Sequence, residues 1–144
     1  MKLSTRSRYG ARAALEIARS WGKGHVKRSD IAERQGISKA YLENILIALK
    51  NSGIVQTVRG ASGGFALARS PAEISLLDVF EALEGDLAPV ECAARPETCR
   101  RSLECVMRPV YERLRKAQEG VLKAYTLQDL VDNAARSGRA DFSI

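Results

Sequence analysis

SKAYLENILIALKNSGIVQTVRGASGGFALAR, residues 38–69, changes its hydrophobic period once, and that change decides the fold. Leu42, Ile45, Leu46 and Leu49 follow the i, i+3, i+4, i+7 spacing of an amphipathic helix that starts at Ser38 and closes at Gly53. Beyond Gly53 the pattern becomes two short β-prone runs, IVQTVR (54–59) and FALAR (65–69). Between them GASGG (60–64) supplies glycines that tolerate the positive φ of a hairpin tip. A helix leading straight into a Gly-rich hairpin is the second half of a winged helix-turn-helix.

The first half lies just upstream. A short helix is expected from an N-cap at Ser29 through Gln35, stopped by Gly36, so that two helices meet at a tight turn. Before it, TRSRYGARAALEIARSW (5–21) sets Tyr9, Ala13, Ile17 and Trp21 on one helical stripe, and Arg6, Arg8, Arg12 and Arg19 lie off it. Downstream, Pro71 ends the hairpin and SLLD (75–78) is a capping-box pattern opening a helix to about Glu84. Residues 1–84 are therefore read as one DNA-binding unit.

Residues 85–101 lack helical periodicity and read as an ordered loop, with the cysteine segment taken as 85–104. From Ser102 to Ala124 the period returns through Val110, Leu114, Ala117 and Val121. Pro109 either kinks this helix or marks its start. TLQD (126–129) caps a last helix to about Ala135, which makes 105–135 a dimerisation and C-terminal helical unit and 136–144 a flexible tail. The fold class is mainly α with a small β-hairpin, a winged helix-turn-helix plus a long dimerisation helix.

Charge is distributed unevenly. Residues 1–75 hold 13 Lys+Arg against 5 Asp+Glu, net +8, and residues 76–144 hold 10 against 12, net −2, which gives the chain its +6. The basic half coincides with the helix-turn-helix, as expected for a phosphate-facing surface. No apolar run is long enough for a membrane span and no signal-peptide pattern opens the chain, so a cytoplasmic protein is expected, with no membrane partner. A thiol enzyme is disfavoured because the single histidine, His25, lies far from the cysteines in sequence and no Gly-rich phosphate motif or paired base appears. His25 itself reads as a turn-capping or solvent-facing residue, and Trp21 and Tyr125 as packing residues at helix ends.

The side chains off the apolar stripe of the 38–53 helix sit where a recognition helix meets base edges. Ser38, Lys39 and Tyr41 suit phosphates, Asn44 suits a bidentate contact to adenine, and Glu43 suits a cytosine amino group. Arg8 belongs to the arginine face that can lie along phosphates. Arg59, at the base of a tip containing Gly60, Ser62, Gly63 and Gly64, suits a narrow minor groove. In the loop, Cys92, Cys99 and Cys105 are spaced C-x6-C-x5-C, without the close pairs of structural zinc. Iron-sulfur ligation tolerates that spacing, and Arg95, Arg100, Arg101 and Arg108 would favour thiolate. Direct thiol or disulfide sensing without metal is the alternative.

MKLSTRSRYG (1–10), IAERQGIS (31–38), YLENIL (41–46), VRGASGGF (58–65) and TLQDLV (126–131) together resemble the winged-helix regulator family that includes IscR, NsrR, RirA and CymR. The likeness runs over nearly the whole chain. It implies a homodimer assembled through the long helix on a pseudo-palindromic double-stranded operator, acting as a repressor. It further implies DNA contacts from Tyr9, Ser38, Lys39, Tyr41, Asn44, Arg59 and the wing glycines. In the cluster-binding members three cysteines at about this spacing hold an iron-sulfur cluster, so the resemblance implies a [2Fe-2S] or [4Fe-4S] cofactor on Cys92, Cys99 and Cys105. Arg108 stands where IscR-type relatives carry a ligand histidine, and Arg8 near where NsrR-type relatives carry an aspartate. The arrangement is therefore most similar to that of RirA, with Glu43, Glu91, Glu97 or Glu104 as candidate oxygen ligands and a signal of iron, redox state or nitric oxide.

Overall fold

The computed structural model describes residues 3–138. They form α1 (Thr5–Ala18), α2 (Arg28–Gln35), α3 (Lys39–Asn51), β1 (Val55–Val58), β2 (Gly64–Leu67), α4 (Leu76–Glu84), α5 (Glu91–Ala94), α6 (Arg108–Ala124) and α7 (Leu127–Ser137). The mainly helical class with one hairpin is therefore observed. β1 and β2 pair antiparallel, with Val55 opposite Leu67 and Val58 opposite Gly64.

One core joins these elements. Leu42, Ile45, Leu46 and Leu49 of α3 pack with Ala13, Ala14 and Ile17 of α1, Ile31 of α2, Val55 and Leu67 of the hairpin, and Val79 and Leu83 of α4. The small residues of α1 permit close approach: at Gly10 a Cβ would stand 2.1 Å from Leu83 Cδ1, so the α1–α4 crossing depends on a missing side chain. Buried Glu16 accepts from Arg34 of α2 at 3.1 Å and from Arg19 at 3.5 Å, so its charge is paired.

Both expected capping boxes form. Ser75 and Asp78 satisfy each other's backbone N–H at the start of α4, and Thr126 and Asp129 do the same at the start of α7. The two helix starts lie side by side, with Leu76 N–H donating to Tyr125 O at 2.8 Å and Leu127 N–H to Ile74 O at 2.9 Å. This bridge ties the C-terminal helix to the winged-helix body and buries Ile74 and Leu127 completely.

Several boundaries differ from expectation for local reasons. α1 ends at Ala18, because residues 19–23 turn tightly into Gly22 at φ +75°, and Trp21 is exposed rather than packed. Tyr125 is likewise 46% exposed. α2 starts at Arg28 after Lys27, while Ser29 lies inside the helix and its hydroxyl donates to Asp30 Oδ1 instead of capping. The long helix begins at Arg108, not Ser102, with Pro109 in its first turn, where no N–H is required. α7 runs on to Ser137 and stops at left-handed Gly138, so Arg136 and Ser137 are helical rather than part of a flexible tail. The rest of the expected tail, 139–144, lies outside the described residues.

Candidate nucleic-acid interface and cysteine loop

α3 starts at a formed N-cap. Ser38 caps it by accepting from Tyr41 N–H at 3.1 Å, which leaves Lys39 and Asn44 exposed on its outer face. Tyr41 meets Tyr9 of α1 edge-on, with ring centroids 6.2 Å apart and planes at 89°, and the Arg12 guanidinium lies 5.5 Å from the Tyr9 ring centroid. α1 is thereby joined to the first turn of α3 by an aromatic pair, with Arg6 and Arg8 exposed at its start. Arg8 donates to Thr5 Oγ1 at 3.3 Å, a weak local contact.

Glu43, a candidate base contact, is already engaged: Arg28 at the head of α2 donates to its carboxylate. Nothing in the hydrophobic pattern singled out Arg28, because the pairing is created by the angle between α2 and α3.

The wing is built by its glycines. Gly60 holds φ +123°, and Gly63 N–H donates to Gly60 O at 3.0 Å, closing the tip. A Cβ on Gly63 would meet Val58 O at 2.3 Å, and one on Gly64 would meet Val26 O at 2.3 Å. Both positions thus have a steric role within the wing. Arg59 and Ser62 are exposed, and Arg59 has no hydrogen-bond or ion-pair partner among the described residues.

Glu84, missed in the sequence, locks the start of α1 to the end of α4. Ser4 and Ser7 hydroxyls both donate to its Oε1, and Ser7 is fully buried. Those two bonds, with a smaller contribution from Arg6, hold the Glu84 carboxyl below the usual carboxylate range against partial desolvation. Gly85 follows directly at φ +78° and launches the cysteine segment.

That segment carries one turn of helix, α5, and a 3-10 turn at Pro96–Thr98. Cys92, Cys99 and Cys105 are half-buried free thiols. Among the described residues no group of three or more His, Cys, Asp or Glu side chains is already gathered around one point. The donor set nevertheless fits iron-sulfur ligation in its chemistry: three free thiols on a segment with little regular structure, plus an orphaned buried hydroxyl. Ser102, between Cys99 and Cys105, is 6% exposed and its Oγ has no hydrogen-bond partner among the described residues. A buried donor left unpaired costs about 1–3 kcal/mol, and an anionic sulfur-bearing group nearby would accept from it. Of the four arginines expected around the thiols, Arg95 pairs with Glu91 and Arg108 with Glu112, whereas Arg100 and Arg101 are exposed.

α6 has no buried residue. Val110, Leu114 and Val121 are 46%, 39% and 61% exposed, and Met107, Val106 and Leu103 extend the apolar surface beyond its start. Beside it runs a groove whose apolar walls include Leu3, Leu87, Pro89, Leu114, Val121 and Leu122.

A helix-turn-helix with a Gly-rich wing, an arginine-bearing first helix and an amphipathic α6 define a winged-helix transcriptional regulator. The chain belongs to the Rrf2 family, described as iron-dependent transcriptional regulators, whose model matches residues 3–133. It is 42% identical over 135 residues to protein rrf2 of Nitratidesulfovibrio vulgaris, covering 94% of this chain and 90% of that protein. Its fold is similar to that of T. potens IscR, with TM-score 0.79, 36% identity and coverage of 98% and 93% of the two chains. It is also similar to that of CymR, the global cysteine regulator of B. subtilis, with TM-score 0.75, 35% identity and coverage of 92% and 98%. These relatives are regulators, not enzymes, and no helix among the described residues is long and apolar enough to cross a membrane.

Proposed function

We propose that this Rrf2 regulator binds a pseudo-palindromic operator as a homodimer and represses transcription according to the state of an iron-sulfur cluster held by Cys92, Cys99 and Cys105. The observation that carries the sensing half is the orphaned Ser102 hydroxyl on the same segment as three free thiols. When bound, the cluster supplies a site that iron scarcity, oxidants or nitric oxide can dismantle.

The chain's own residues do the rest. Ser38, Lys39, Tyr41 and Asn44 face the major groove, Tyr9 and Arg8 lie along phosphates, and Arg59 with Gly60, Ser62, Gly63 and Gly64 approaches the minor groove. Glu43 contributes to base choice once Arg28 releases it. The exposed apolar face of α6 and the groove beside it suit a second copy of the chain, since covering a Leu or Val side chain contributes roughly 1.5–3 kcal/mol when burial is complete. The cysteine segment leaves α4 at Gly85, directly after the Ser4–Ser7–Glu84 lock, and re-enters helix at Arg108 of α6. A change in its order therefore acts on both the seat of α1 and the dimer helix, which sets the spacing of the two recognition helices.

The test is an anaerobic operator titration of cluster-loaded and cluster-free protein at fixed salt, with iron and sulfide analysis of both. A clear difference in affinity supports the reading, and equal affinities overturn the sensing half while leaving DNA binding intact. The second reading, metal-free thiol sensing, is favoured by the likeness to CymR. Iron-free protein from anaerobic cells, with operator affinity that changes on thiol oxidation, would establish it instead.

A further inference from the structure

The segment GKGHV, residues 22–26, is shaped to carry a histidine to the wing. Gly22 and Gly24 both hold positive φ, +75° and +128°, on either side of Lys23, in the link that brings His25 and Val26 to β2. Val26 pairs with Phe65 in both directions, N–H to Phe65 O at 2.9 Å and Phe65 N–H to Val26 O at 2.8 Å. Residue 26 thus adds a short third rung to a hairpin whose two four-residue strands would be marginal alone. One residue earlier, the imidazole Nε2 of His25 donates to the carbonyl of Ser62 at the wing tip. The ring lies against Gly64, where an added Cβ would stand 3.0 Å from His25 Cδ2.

We propose that His25 is a positioning residue for operator binding: its imidazole straps the carbonyl of Ser62 to the body and so fixes the pose in which Arg59 and the wing tip enter the DNA groove. The wing tip, residues 59–63, has only two anchors among the described residues beyond the β1–β2 ladder, the Gly60–Gly63 turn and this strap. The first closes the tip on itself and leaves its angle to α3 free. Among the described residues the strap is the one hydrogen bond that joins the tip to the helical body, through the turn that follows α1. Fixing a mobile loop before binding lowers the ordering cost that association must meet. His25 donates through Nε2 both as the neutral Nε2–H tautomer and as the imidazolium, so the strap needs a donor at that reach and not a charge. Glutamine places its amide nitrogen at a similar reach, whereas alanine removes the donor.

The inference rests on the DNA-binding reading, and the test separates the two. A duplex selected from a random pool by the wild-type protein is titrated with wild type, His25→Ala and His25→Gln at several salt concentrations, with hydroxyl-radical footprints and guanine N7 methylation interference on each complex. Amide hydrogen exchange of residues 60–64 is measured in the free proteins. His25→Ala should weaken binding about fivefold to thirtyfold, flatten the salt dependence and erase the wing footprint while major-groove interference stays. It should also speed exchange at the tip without moving the global unfolding midpoint, and His25→Gln should restore most of each property. If wild type binds and His25→Ala matches it in affinity and footprint, the strap has no positioning role. That role is equally excluded if His25→Gln behaves as His25→Ala. If wild type selects no duplex, the DNA-binding reading falls, and tip exchange still decides whether His25 orders the wing.

Discussion

Single side chains set the seat of α1 against α4. Glu84 accepts two serine hydroxyls, so its folded-state carboxyl titrates below the ordinary carboxylate value of an unfolded chain. The sign follows directly: its stabilisation is fully present above the unfolded value and is lost as pH falls through the lower folded value. Glu84→Gln should therefore lower the urea midpoint at pH 7, and wild type and variant should converge as pH falls through that lower folded value. A gap that persists at acid pH would locate the role of Glu84 elsewhere. Ser102 behaves in the opposite sense. Its buried hydroxyl has no partner among the described residues, so Ser102→Ala should raise stability by about 1 kcal/mol, read from denaturant midpoints. Neither residue is conspicuous in the sequence. A serine or a glutamate at a helix end reads as a solvated polar group, and only its burial or its partners from another helix reveal more.

Elements show the same division between local and distant causes. The capping boxes at Ser75 and Thr126 were legible because all their atoms lie within four residues. Thr126→Ala should cost about 1 kcal/mol by thermal or chemical denaturation, since α7 loses its side-chain cap while the backbone bridge to α4 stays. The start of α6 could be narrowed by Pro109 but not decided, because proline is compatible with both a kink and a first turn. The apolar stripe of α6 was legible as periodicity, and the structure adds that it remains uncovered in the single chain. Leu114→Glu should convert a dimer to a monomer in sedimentation at micromolar concentration, with the unfolding midpoint of the monomer little changed because the site is exposed. Operator affinity should fall more than tenfold in the same variant, since one half-site is lost. A dimeric Leu114→Glu protein would place the interface on another face.

For the whole molecule, three kinds of connection converge on the α1–α3–wing surface: the Tyr9–Tyr41 pair, the Arg28–Glu43 ion pair and the GKGHV strap. With the net +8 of residues 1–75 behind that surface, operator binding should weaken steeply as salt rises, and log Kd against log salt should be linear. A flat dependence would contradict phosphate contacts by Arg8, Lys39 and Arg59. Local sequence was sufficient for the winged helix-turn-helix, the hairpin tip, both capping boxes, the uneven charge and the three-thiol segment. Each of these is written in periodicity, turn glycines or spacing over a few residues. Tertiary packing was needed to establish that Glu43 is held by Arg28, that Glu84 locks α1 to α4, that Ser102 is buried without a partner and that His25 reaches the wing. Those pairings depend on the angles at which separate elements pack, and packing angles come from the shared core, not from any local run of residues.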